Sequence, residues 1–384
     1  MASVDTISKP DTLSAPTQKN RREYRLISAD SHVCEPGNLW LDRVPAKLRD
    51  RAPRIESFAE GDAWIIEGIG EPVKFGWTSC AGMEPERMTN WMRFEDVRKG
   101  GYDPAARCVE MDRDEVDAEV LYPSPVLAIA IFAHQEEEFH LAMVRAYNDW
   151  ISEFVAYAPD RFAGMMMMPN RGGPEACVAE INRVMDRPGM RGVVMGAYPN
   201  GTLKIEDEDD KVWGVLEERG LALSIHVAMT QTMPAVAKSK LPGYGRFFDA
   251  PNRIIEMMFS GMFDRFPNLD VYFAEVDCGW FPYVKEQIEN NYRRLNPSQQ
   301  FNLKKNPRQY MERHFHFGYM TDTFGVQHHD FIGAERVLWS SDYPHISADW
   351  PNSYRTIQAS MSGVRREDRE AILHGNAERL FNFT

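Results

Sequence analysis

Leu221-Ala222-Leu223-Ser224-Ile225-His226 is a short, almost wholly apolar run that stops on a histidine. Val271-Tyr272-Phe273-Ala274-Glu275 repeats the plan with a carboxylate at the stop, and Val337-Leu338-Trp339-Ser340-Ser341-Asp342 repeats it again. Near-continuous apolar runs of this length read as strands buried on both faces, the condition of a parallel sheet. Working outward, the same signature marks Leu26–His32, Ala118–Pro123, Phe162–Met168, Gly192–Ala197, Leu221–Val227, Leu269–Glu275, His314–Tyr319 and Arg336–Asp342.

Helical patterns fill the gaps between these eight runs. The clearest begins near Phe139, where Tyr147, Trp150, Ile151, Phe154, Val155 and Ala158 keep the i, i+3, i+4 spacing of one buried face until Pro159 stops it. Further helices are expected over about 174–186, 209–219, 251–265 and 280–294, each opening near a proline or an acid. Strand and helix alternating eight times predicts an α/β fold, a (β/α)₈ TIM barrel, with an open doubly wound sheet as the alternative. One stretch breaks the rhythm. Residues 36–103, rich in Pro, Gly and Trp, separate the first strand from the second and are far longer than an ordinary βα connection. They are expected to form a lid or pocket wall within one barrel domain, 24–384, behind a flexible tail, 1–23.

The bulk numbers narrow the partners. With 44 basic and 57 acidic residues the net charge is −13, which disfavours nucleic acid and anionic membranes and leaves a small-molecule substrate. No apolar stretch approaches the ~18 residues of a membrane span, and no apolar core of a secretory signal follows the polar start. Five cysteines, Cys34, Cys80, Cys108, Cys177 and Cys278, form no metal-finger spacing and point to reduced thiols in the cytoplasm.

Placed on the strands, the ionisable residues gather at one end. Asp30 and His32 close the first strand, two apart and so on one side of it. His226 closes the fifth, Glu275 the sixth and Asp342 the eighth. The C-terminal ends of barrel strands carry the active site. Imidazole and carboxylate together suit one divalent ion, Zn²⁺ first and Mn²⁺ or Fe²⁺ as alternatives, so Asp30, His32, His226 and Asp342 are the expected metal ligands.

Several blocks also resemble a known family. Ile27-Ser28-Ala29-Asp30-Ser31-His32-Val33-Cys34-Glu35-Pro36 is similar to the opening motif of the amidohydrolase-related family that includes aminocarboxymuconate-semialdehyde decarboxylase. Ala146–Trp150 with Pro159–Phe162, Ala274–Pro282, Ser341–His345 and Gly375–Phe381 resemble its later blocks, so the likeness runs from about 26 to 382. The resemblance implies an amidohydrolase-type barrel, one divalent ion, ligation by His32, His226 and Asp342, and a homodimer or higher homo-oligomer. Two departures stand out: Asp30 replaces the His or Glu of many members, and Glu275 replaces a strand-end His that usually serves as acid or base.

The leading expectation is hydrolysis through a metal-activated water, with Asp342, Glu275 and His226 carrying the chemistry. The alternative is non-oxidative decarboxylation of an aromatic or unsaturated acid, for which Arg87, Arg93 or Arg98 would meet the substrate's charge. A non-catalytic metal-binding or scaffold protein is the third reading. Specificity is expected to lie in 36–103 and 228–250. His314 and His316 are read as packing residues or as neighbours of the ligands, and His328-His329 as a helix-surface pair. His345 is read as a possible pocket-lining residue, Met165–Met168 as flexible core, and Cys34 as a weak candidate nucleophile.

Overall fold

The computed structural model describes residues 25–226, 229 and 249–383. The expected tail, 1–23, and most of the 228–250 loop lie outside the described residues. Eight parallel strands follow one another around a single sheet: β1 (Ile27–His32), β2 (Ala118–Tyr122), β3 (Phe162–Met167), β4 (Met190–Val194), β5 (Ala222–His226), β6 (Val271–Ala274), β7 (Phe315–Tyr319) and β8 (Val337–Trp339). Each pairs in parallel with the next, and all are buried along their length apart from Arg191.

The seam between first and last strands is made by residues just beyond β8. Ser341 donates its backbone N–H to Ser28 Oγ at 2.9 Å, Asp342 donates to the Asp30 carbonyl at 3.0 Å, and His32 donates to the Tyr343 carbonyl at 2.7 Å. The barrel therefore closes through the segment that the sequence marks as the site.

Helices alternate with the strands, the principal ones being Pro104–Asp114, Glu137–Val155, Gly173–Val184, Asp210–Arg219, Asp249–Phe259 and Phe281–Gln299. The Glu137–Val155 helix buries the face containing Tyr147, Trp150, Ile151, Phe154 and Val155. From that face Asn148 imitates a strand edge, donating to the Met167 carbonyl at 3.1 Å and accepting from the Met167 N–H at 2.9 Å. The helix expected over 251–265 is broken at Gly261, whose φ of 74° belongs to the left-handed region open to glycine. Inside the barrel, Gly318 on β7 leaves room for Tyr272, because a Cβ there would lie 2.1 Å from the tyrosine hydroxyl.

Residues 36–103 hold short helices and one antiparallel pair, Arg54–Ser57 with Asp62–Ile65. Trp40 and Trp64 meet edge to face at 5.4 Å, and Trp40 Nε1 donates to the Met143 carbonyl, so this segment shares the barrel's core. Two backbone hydrogen bonds, Ala81 N to Pro344 O at 3.0 Å and Ile346 N to Trp77 O at 2.8 Å, tie it to the loop after Asp342. Among the described residues no helix is long and apolar enough to cross a membrane.

Candidate metal centre

At the C-terminal end of the barrel, His32 and His226 bring their Nε2 atoms within 3.2 Å of each other. His32 Nδ1 lies 2.8 Å from the Pro123 carbonyl, which can only accept, so Nδ1 carries the proton and Nε2 presents a lone pair. His226 Nδ1 faces Glu275 Oε2 at 3.8 Å, which favours the same tautomer. Burial holds His226 neutral, lowering it to about 3 against the nearby Glu275 carboxylate.

Carboxylates enclose these lone pairs. Asp30 Oδ1 lies 3.4 Å from His32 Nε2, and Asp30 Oδ2 lies 3.5 Å from His226 Nε2. Asp342 Oδ1 lies 3.3 Å from His32 Nε2. That oxygen is buried with His345 Nδ1 at 2.8 Å, whereas Oδ2 accepts a hydrogen bond from Ser347. Burial alone would raise Asp342, but the His345 imidazole beside it holds it well below the usual carboxylate range. Facing lone pairs ringed by carboxylate oxygens repel one another unless a cation lies among them. Separations of 3.2–3.5 Å are those of donors roughly 2.1 Å from a shared centre. The donor set fits one divalent ion.

The backbone is shaped around this arrangement. In β1 the pairing with β2 jumps from Ser28 to Ser31, so Ala29 and Asp30 occupy a bulge that re-aims the Asp30 side chain. Glu275 and Asp342 both adopt left-handed φ, 56° and 53°, a conformation that costs roughly 1–3 kcal/mol and is concentrated at functional sites. Arg107, fully buried, joins Glu119 at 2.6 Å and donates to the His32 carbonyl at 2.9 Å, fixing the end of β1 from behind.

Asp30, His32, His226, Glu275 and Asp342 thus converge in the structure, as their strand-end positions predict. His345 joins them. It is buried, stacks on the His32 ring at 3.9 Å and 17°, and places Nδ1 2.8 Å from Asp342 Oδ1. Sequence reasoning did not select Glu35 as a site residue. Burial raises its carboxyl to about 7 although Ser124 donates to it from both N and Oγ. The signal was its place three residues after His32, in the quoted opening motif.

Other expectations resolve differently. Arg93 pairs with Asp62 at 2.9 Å, and Arg98 donates to the Ala81 carbonyl and covers Trp350, so both have partners within or beside the insertion. Arg87 is exposed. His314 and His316 pack at the opposite end of the barrel, against the Leu269 carbonyl and Asp270. His329 is no surface residue: it is buried, with Asp368 at 3.1 Å from Nε2 and the Val326 carbonyl at 2.7 Å from Nδ1. Cys34 is no nucleophile, because burial pushes its thiol up to about 12.

The family follows from comparison: the chain belongs to the amidohydrolase family, whose sequence model matches residues 77–383. It is similar to 2-amino-3-carboxymuconate-6-semialdehyde decarboxylase of Dictyostelium discoideum, 26% identical over 79% of this chain and 84% of that protein. The gamma-resorcylate decarboxylase of Rhizobium sp. is 23% identical over 66% of this chain and 80% of its own length. Among solved structures, an amidohydrolase from Mycobacterium avium subsp. paratuberculosis superposes with a TM-score of 0.74 at 20% identity, covering 94% of this chain and 98% of that one. A dihydroxybenzoic acid decarboxylase from Polaromonas sp., with manganese and 2-nitroresorcinol bound, gives 0.62 at 18% identity over 94% and 97%.

These relatives correct the leading expectation of a hydrolase. The curated proteins that match most of this chain are decarboxylases. The physical reason for the error is plain. One divalent ion beside spare carboxylates serves a water or a substrate carboxylate equally well, so the ligand set alone does not choose the reaction.

Proposed function

We propose that the protein is a metal-dependent, non-oxidative decarboxylase of an aromatic or unsaturated acid, with Asp30, His32, His226 and Asp342 holding one divalent ion. The observation that carries the proposal is the 3.2 Å approach of two imidazole lone pairs among buried carboxylates, in a chain whose curated relatives are decarboxylases. Two imidazoles and two carboxylates without a thiolate suit Mn²⁺ as well as Zn²⁺, and the Polaromonas neighbour carries manganese. When bound, the ion supplies positive charge that fixes the substrate's acidic group and draws electrons from it.

The chain's own residues then divide the work. His32 is oriented by Pro123 and Arg107, and His226 is kept neutral by burial. Asp342, held ionised, is a poor store for a proton, which leaves Glu275 as the acid. As the bond between ring carbon and carboxylate breaks, its electron pair stays on the carbon and CO₂ departs. Glu275, having taken a proton from solvent water, gives it to the vacated position and returns to the carboxylate. Residues 36–103, tied to the loop after Asp342, serve as the wall of the site. The substrates in the relatives' names guide the choice of acid. γ-Resorcylate, 2,6-dihydroxybenzoate, carries a hydroxyl, and 2-amino-3-carboxymuconate-6-semialdehyde an amino group, on the carbon next to the one bearing a carboxylate.

The test is CO₂ release from such acids by manganese-loaded protein in D₂O. One deuterium at the vacated carbon, and no ¹⁸O from labelled water in the organic product, is the expected result. Oxygen incorporation without CO₂ would refute the proposal.

A further inference from the structure

His345 stands in the site without a role in the reaction as described. Its ring is held from two directions. One face stacks on His32, at 3.9 Å between centroids and 17° between planes, and Nδ1 lies 2.8 Å from Asp342 Oδ1. A lone pair on Nδ1 at that distance would oppose the carboxylate, so Nδ1 carries a proton; in the imidazole tautomer with that proton, Nε2 is the acceptor. Nε2 is buried and has no hydrogen-bond partner among the described residues. A buried acceptor left unmatched is unfavourable. This one sits on a ring immobilised beside a proposed metal ligand, where a substrate must come.

We propose that His345 is a specificity-determining residue: its Nε2 accepts a hydrogen bond from a hydroxyl or amino group on the carbon adjacent to the one bearing the substrate's carboxylate. The inference rests on the decarboxylase reading for the identity of the ligand, and on stacking, burial and the unmatched acceptor for the residue. A site that holds a buried acceptor for a substrate donor rejects the analogue lacking that donor, since the acceptor is then left dry.

Calorimetric binding of 2,6-dihydroxybenzoate and 2,6-difluorobenzoate to manganese-loaded protein tests this without turnover. The fluorines keep the substitution pattern and donate nothing. The wild type is expected to prefer the dihydroxy acid by about tenfold or more in Kd, the worth of one hydrogen bond of roughly 1.4 kcal/mol. His345→Phe keeps a stacking ring and removes the acceptor, so the preference should fall towards unity with the manganese content unchanged. His345→Gln retains an acceptor oxygen and should keep part of it.

An undiminished preference in His345→Phe overturns the proposal, as does loss of manganese from that variant, which would make His345 a ligand. Equal binding of the two acids by the wild type, or binding of neither, overturns it as well. The two readings fail separately: a His345-dependent preference without CO₂ release sinks the decarboxylase and leaves this residue's role standing.

Discussion

Two pairs of histidines, on strands or next to one, sit at opposite ends of this barrel and behave differently. At the N-terminal end, His314 and His316 each turn one ring nitrogen to a separate partner, the Leu269 carbonyl and Asp270, while Phe263 stacks on His314 at 4.1 Å. At the C-terminal end, the nitrogens of His32 and His226 are aimed at a common point 3.2 Å across, with Asp30 and Asp342 around it. The residue types are the same. Divergent pairing secures packing, whereas convergent lone pairs create a place that a cation must neutralise.

The comparison can be broken most severely at the convergent pair. His32→Ala or His226→Ala should drop the manganese content of dialysed protein from one ion per chain to nearly none, read by elemental analysis; full retention would remove both from the ligand set. Glu275→Gln should keep the ion and lower CO₂ release by a factor of roughly 10²–10⁴, the usual contribution of a positioned acid. Retained turnover there would return the proton to another group.

Glu35 tests how far the site's demands extend into its surroundings. Its folded value of about 7 lies above the ordinary 4.5, so the stability it contributes is complete below about pH 4.5 and is lost as pH rises towards 7. Denaturant melts of the metal-free protein should show a decline on the order of a few kcal/mol across that window. Glu35→Gln should flatten it, and an equal slope in the variant would place the titration elsewhere. The smallest effect belongs to the packing pair. His316→Ala should cost about 1–2 kcal/mol in stability while ion content and turnover stay within twofold of wild type. Loss of the ion from that variant would dissolve the contrast between the two ends.

Much of this was legible in the chain because barrel strands are buried on both faces and announce themselves as apolar runs. The polar residue that ends each run, His226 after Ile225 or Asp342 after the serines, is therefore conspicuous. His345 was harder to read, because it follows β8 in a loop where no periodicity governs direction. The bulge at Asp30 and the left-handed backbone at Glu275 and Asp342 leave no mark in residue type. His329 was misread because two adjacent histidines in a polar stretch look solvated, while Asp368, thirty-nine residues later, is what draws one of them inward. The reaction was not legible at all from the ligands, since the same donors serve either chemistry.

The seam has a consequence for how the protein comes into being. Asp30 and Asp342 are joined by a backbone hydrogen bond, as are His32 and Tyr343, across more than three hundred intervening residues. Closing so long a loop costs chain entropy that no local contact repays in advance. During synthesis the growing chain can stack strands in order, yet it cannot assemble the four converging side chains until its final strand has left the ribosome. An ion held as proposed by the first and last strands would act as a clasp on a finished molecule, and nascent or C-terminally truncated chains would lack Asp342, the ligand that fastens it.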